Sequence, residues 1–60
     1  MHIIDVPLAP EGTDPEAHDA EVRATIFAAC EEHGAVELHY PQGAPDVARI
    51  VDGELLVVAK

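Results

Sequence analysis

Sixty residues with twelve Asp and Glu against three Lys and Arg carry a formal net charge of −9. That balance argues against direct binding to nucleic acid or an anionic membrane face, both of which need a basic patch. A single cysteine, Cys30, excludes an internal disulfide.

No apolar run approaches the roughly 18 to 20 residues needed to cross a bilayer. The opening MHIIDVP lacks the cationic region and long apolar stretch of a secretory signal. Together with the lone cysteine, this predicts a soluble, cytoplasmic protein. A chain of this length buries only roughly 60% of its unfolded surface, which raises the expectation of self-association. With Phe27 and Tyr40 as the only aromatic residues, the core must be built from Val, Ile, Leu and Ala.

His2 to Val6 is short and β-branched, ends at Pro7, and reads as a first strand with Ile4 and Val6 on one face and Ile3 and Asp5 on the other. Leu8 to Thr13, with Pro10 and Gly12, reads as a loop. Asp14 to Gly34 carries a full set of helix signals: Asp14 as N-cap, Pro15 at the first helical position and Gly34 as the closing residue. Val22, Ile26, Ala29, Cys30 and His33 follow the 3.6-residue repeat and make one apolar stripe, flanked by Phe27. Glu21, Thr25, Ala28, Glu31 and Glu32 occupy the opposite, solvent-facing side.

Ala35 to Tyr40 alternates as a half-buried strand, with Val36, Leu38 and Tyr40 inward and Ala35, Glu37 and His39 outward. Pro41 to Asp46 is a turn. Val47 to Val51, Asp52-Gly53 and Glu54 to Ala59 form a hairpin, because Asp-Gly between apolar runs favours a two-residue turn. The turn sets a register in which Val51 opposes Glu54, Ile50 opposes Leu55, Arg49 opposes Leu56, Ala48 opposes Val57 and Val47 opposes Val58. One hairpin face then collects Ala48, Ile50, Leu55, Val57 and Ala59 and belongs under the helix.

The fold expected is a single α+β domain over residues 1–60: a mostly antiparallel four-stranded sheet with one helix on one face, in the order strand, helix, strand, strand, strand. The first two strands are parallel, through a right-handed crossover, if they are neighbours. One helix covers one face of a sheet, so Ile3, Val47, Val51, Leu56 and Val58 on the other are expected to meet a second copy, making a homodimer, or a partner.

Candidate chemistry is sparse. His2, His18, His33 and His39 include no i, i+4 pair and no HxH, so no metal site is expected. Cys30 falls on the buried stripe, where a thiol is inert. No glycine pattern supports phosphate binding, and no cofactor or catalytic residue is assigned. The acids remain. Glu11, Asp14, Glu16, Glu21, Glu31 and Glu32 lie on the helix and its approach; Glu31 and Glu32 even occupy the negative end of the helix dipole, where local stability disfavours them. In size and acidity the chain resembles phage-encoded anti-CRISPR and DNA-mimic inhibitors, a class without a shared motif. The resemblance implies an inhibitor whose carboxylates dock on the basic nucleic-acid-binding surface of a partner protein. The same acidity also suits general solubility, as in a salt-rich cytoplasm, and the open sheet face suits a small homodimeric or accessory subunit.

Overall fold

The computed structural model describes all sixty residues. Strand β1 (His2–Asp5) leads through a loop to helix α1 (Pro15–His33), followed by β2 (Ala35–His39), β3 (Asp46–Val51) and β4 (Glu54–Ala59). The strands form one sheet in the order β1-β2-β3-β4, with α1 packed on one face. β1 and β2 run parallel, and the other pairs are antiparallel. This is the α+β arrangement that the sequence predicts, with one parallel pair in an otherwise antiparallel sheet.

Local chemistry accounts for each boundary. The Asp14 carboxylate accepts from the Glu16 amide at 3.3 Å, while Pro15, which has no amide to satisfy, occupies the first turn. At the other end the Gly34 N–H donates to the Cys30 carbonyl at 2.8 Å, with Gly34 at φ 88° and ψ −81°. A side chain would be strained there, so the helix stops. In the hairpin, Asp52 and Gly53 both have positive φ, 52° and 79°. A type I′ turn needs that at both central residues, and its twist matches that of the flanking strands. The resulting register pairs Val51 with Glu54 through to Val47 with Val58, as the turn chemistry predicts.

The core is small. Ile26 and Cys30 from α1 meet Val36 and Leu38 from β2 and Ala48 from β3; Ile4, Val6, Val22, Ala29, Tyr40, Ile50 and Leu55 pack around them. In one respect the expected core is too wide. Ala48 is buried and Ile50 and Leu55 are half-buried, but Val57 and Ala59, also expected under the helix, are exposed. The reason is dimensional: a helix about 10 Å wide spans only about two strands at roughly 4.8 Å spacing, and α1 sits over β2 and β3. β1 is tied down by other means. The Val6 amide donates to the His39 carbonyl at 2.8 Å, and the His18 ring donates from Nε2 to the Pro7 carbonyl at 3.1 Å. The His2 and His33 rings stack with centroids 4.1 Å apart.

Leu38 is the largest fully buried side chain. Truncation of such a residue costs about 2–5 kcal/mol, against a total of about 3–9 kcal/mol for a chain of sixty residues. Leu38→Ala is therefore expected to lower the urea midpoint followed by circular dichroism by at least about a fifth, whereas Ala28→Ser on the exposed helix face leaves it nearly unchanged.

Candidate interaction surfaces

The six acids singled out in the sequence are all exposed. Glu11 and Asp14 lie in the loop and cap before α1, Glu16 lies in its first turn, Glu21 near its middle, and Glu31 and Glu32 in its last turn. They are spread over the solvent side of a helix about 28 Å long and the loop before it, and only Glu21 and Glu32 are nearly aligned, about three turns apart. None has a Lys or Arg partner. Glu32 lies 3.9 Å from the His33 ring, and the sole ion pair to Lys or Arg anywhere joins Lys60 to Glu37.

The opposite face of the sheet is built by register. Ile3, Glu37, Val47 and Val58 form one row across all four strands, Ala35, Arg49 and Leu56 the next, and Val51 and Glu54 the row nearest the hairpin turn. Ile3, Val51, Leu56 and Val58 remain 38% to 50% exposed, while Val47 is half-buried. The five residues do not form one unbroken apolar surface, because Glu37 stands between Ile3 and Val47.

Glu37 lies on the face that sequence periodicity gives it, but it does not meet solvent. Expected on the solvent-facing side, its side chain is only 12% exposed. β2 is an interior strand, so neighbours flank Glu37 on both sides, and the side chains of Lys60 and His39 close over it. Lys60 pairs with Oε1 through Nζ, and His39 Nε2 lies 2.6 Å from Oε2. The Lys60 hydrogen bond, and then that of His39, hold the Glu37 carboxyl below the usual carboxylate range. The common side of Glu37 and His39 was legible from their spacing. The arrival of Lys60, from the far end of β4, was not.

Elsewhere the chemistry is quiet. Cys30 is buried in the core, and burial pushes its thiol up, away from the reactive thiolate. No three His, Cys, Asp or Glu side chains converge to share a metal ion. A groove of about 220 Å³ between β1 and α1 is lined by Ile4, Asp5, Pro7, His18, Glu21, Val22 and Thr25. That volume falls below the range of roughly 300–1,000 Å³ common for small-molecule sites. The Tyr40 hydroxyl donates to Asp46 Oδ2 at 2.6 Å, closing the loop between β2 and β3. That bond, with burial and the Asp46 charge, pushes the phenol up to about 12. No helix is long and apolar enough to cross a membrane. No protein-family model, curated protein or solved structure matches this chain.

Two titrations follow. Because the Glu37 carboxyl is lowered in the fold, its contribution to stability is present above the unfolded value of about 4.3 and is lost as pH falls through the folded value. Melting temperature is therefore expected to fall less for Glu37→Gln than for the wild type as pH drops from about 5 to 2, and parallel curves would show that the cluster contributes nothing. The single tyrosine permits a direct check of the second bond: phenolate absorbance is expected to rise with a midpoint near 12. Asp46→Asn should move that midpoint toward the ordinary value of about 10.

Proposed function

We propose that the protein is an acidic interaction module that binds a basic protein surface of the kind that holds nucleic-acid phosphates, and inhibits its owner by occupying that surface. The observation that supports this is the set of acids Glu11, Asp14, Glu16, Glu21, Glu31 and Glu32 on α1 and its approach, all exposed and without Lys or Arg partners. Charges left uncompensated within the chain keep their outward field. Such a field accelerates encounter with a cationic surface and repels competing polyanions. The helix supplies a rigid support, so little ordering is needed on binding. No bond is made or broken; inhibition is competition for the cations that would otherwise hold phosphate.

A second reading has its own observation. Ile3, Val51, Leu56 and Val58 are large apolar side chains left 38% to 50% exposed on the sheet face away from α1, which suits an accessory subunit that associates through that face.

Charge reversal separates the two. With Glu21, Glu31 and Glu32 all changed to Lys, retention of nucleic-acid-binding proteins captured from bacterial lysate is expected to fall roughly tenfold or more, at about 1.4 kcal/mol per factor of ten. Circular dichroism should show the helix intact, and wild-type retention should weaken steeply with added salt. Equal retention by the reversed variant overturns the electrostatic reading, while loss of retention on Val51→Glu instead assigns binding to the sheet face.

A further inference from the structure

β4 is an edge strand whose free side nothing in the protomer protects. Proteins usually blunt such edges with short strands, proline or charge. β1, the other edge, follows that rule: it is four residues long, contains Asp5 and runs into Pro7. β4 does not. Between Glu54 and Lys60 it reads LLVVA, with no proline and no charge. It is apolar on both faces. Leu56 and Val58 are 44% and 38% exposed away from the helix, and Val57 is 39% exposed on the helix side. A partner stacked on the back face would leave Val57 uncovered.

The backbone indicates what the edge can pair with. The two-residue turn closes on Val51 and Glu54, and the Lys60 N–H points inward to the Pro45 carbonyl at 3.3 Å. Even-numbered residues of β4 therefore bond to β3. Because bonding direction alternates along a strand, the N–H and C=O groups of Leu55, Val57 and Ala59 face outward. An antiparallel copy of β4 centred on Val57 pairs only outward-facing residues with each other: Val57 with Val57, and Leu55 with Ala59 in both directions. The same register sets Leu56 beside Val58 of the copy and Glu54 beside Lys60 of the copy, at the closer, non-hydrogen-bonded positions. Glu54 has no ion-pair partner within its own chain, and the Lys60 side chain, although it pairs with Glu37, keeps 56% of its surface exposed. Acid at one end, base at the other and a wholly apolar middle make the strand complementary to its own reverse.

We propose that two copies of this chain pair edge to edge through β4, antiparallel and centred on Val57, to form a continuous eight-stranded sheet. Net charge opposes this only weakly at physiological salt. Each α1 sits over β2 and β3, so the two acidic helices stand about four strand spacings, roughly 19 Å, apart, more than twice the Debye length of about 8 Å. Stacking through the back face would instead desolvate the cluster of Glu37, His39 and Lys60, and also Arg49. The pairing goes beyond the charge-based reading and does not depend on it, since Glu21, Glu31 and Glu32 lie outside the paired edge.

Sedimentation equilibrium of the full chain over micromolar to millimolar concentration, with amide hydrogen exchange at both extremes, tests the proposal. The expected result is a dimer in which the Leu55, Val57 and Ala59 amides are protected at high concentration and exchange freely at low concentration, while those of Leu56 and Val58 are protected at both. Val57→Pro removes one outward N–H without touching the bonds to β3, and should yield a monomer with an unchanged circular dichroism spectrum. Glu54→Lys should weaken the dimer by about tenfold, since it replaces two opposite-charge pairs with like-charge ones. Reversal of Glu21, Glu31 and Glu32 should leave it intact, so its persistence is independent of whether a basic partner is found. A monomer at every concentration overturns the proposal. So does a dimer whose Leu55, Val57 and Ala59 amides exchange freely, or one that survives Val57→Pro, as stacking through the back face would. Protection of those amides only on adding an extended peptide of another protein, to a chain that stays monomeric, assigns the edge to a different occupant and overturns it equally.

Discussion

One helix over four strands is the constraint on which the rest of this structure depends. α1 can cover only about two strands, and it covers the two in the middle. Ile26 and Cys30 therefore close on Val36, Leu38 and Ala48, and the fully buried apolar core ends there. The outer strands are held by narrower means. β1 depends on its parallel ladder with β2, on the His18 bond to Pro7 and on the stacked rings of His2 and His33. β4 depends on β3 and on the contact of Lys60 with Glu37. What the helix leaves uncovered is a direct result of this geometry: an apolar edge on one side, and a sheet face carrying both apolar and ionic groups.

Charge is divided along the same lines. The exposed acids of α1 and its approach have no cations among them except Arg23, which forms no ion pair. The other two cations, Arg49 and Lys60, lie on the far face of the sheet, where Lys60 neutralises the one carboxylate that is largely buried. The helix and its approach, with seven acids and Arg23, thus carry −6 of the −9 net charge, and the strands and their turns, with five acids against Arg49 and Lys60, carry the remaining −3. A basic partner on the helix and a second copy along β4 would use different surfaces and different forces. The first is long-ranged and screened by salt; the second consists of backbone hydrogen bonds and apolar contact, largely insensitive to it.

Much of the fold was legible in the sequence because it is governed by local chemistry. Asp14, Pro15 and Gly34 bound the helix through capping and backbone conformation, and Asp52-Gly53 sets the hairpin register through the sign of φ at two residues. The apolar stripe of α1 and the alternation of β2 follow from helical and strand periodicity, which is why the core residues could be named in advance. The exposed acids were legible for the same reason: their helical phase and loop positions point them outward.

Tertiary structure alone decided how far the helix reaches, and with it which apolar residues are covered. Periodicity gives Val57 and Leu55 the same face, but only the seat of α1 over β2 and β3 leaves Val57 exposed and Leu55 half-buried. Nor could alternation reveal that Glu37 is enclosed, since that depends on β2 lying inside the sheet and on Lys60 arriving from a strand distant in sequence. Strand order, the outer edge at β4 and the direction of its free N–H groups belong to the same class. Local residues determine what each segment becomes; which segment ends beside which, and what is therefore left uncovered, is determined by how a single helix packs on the sheet.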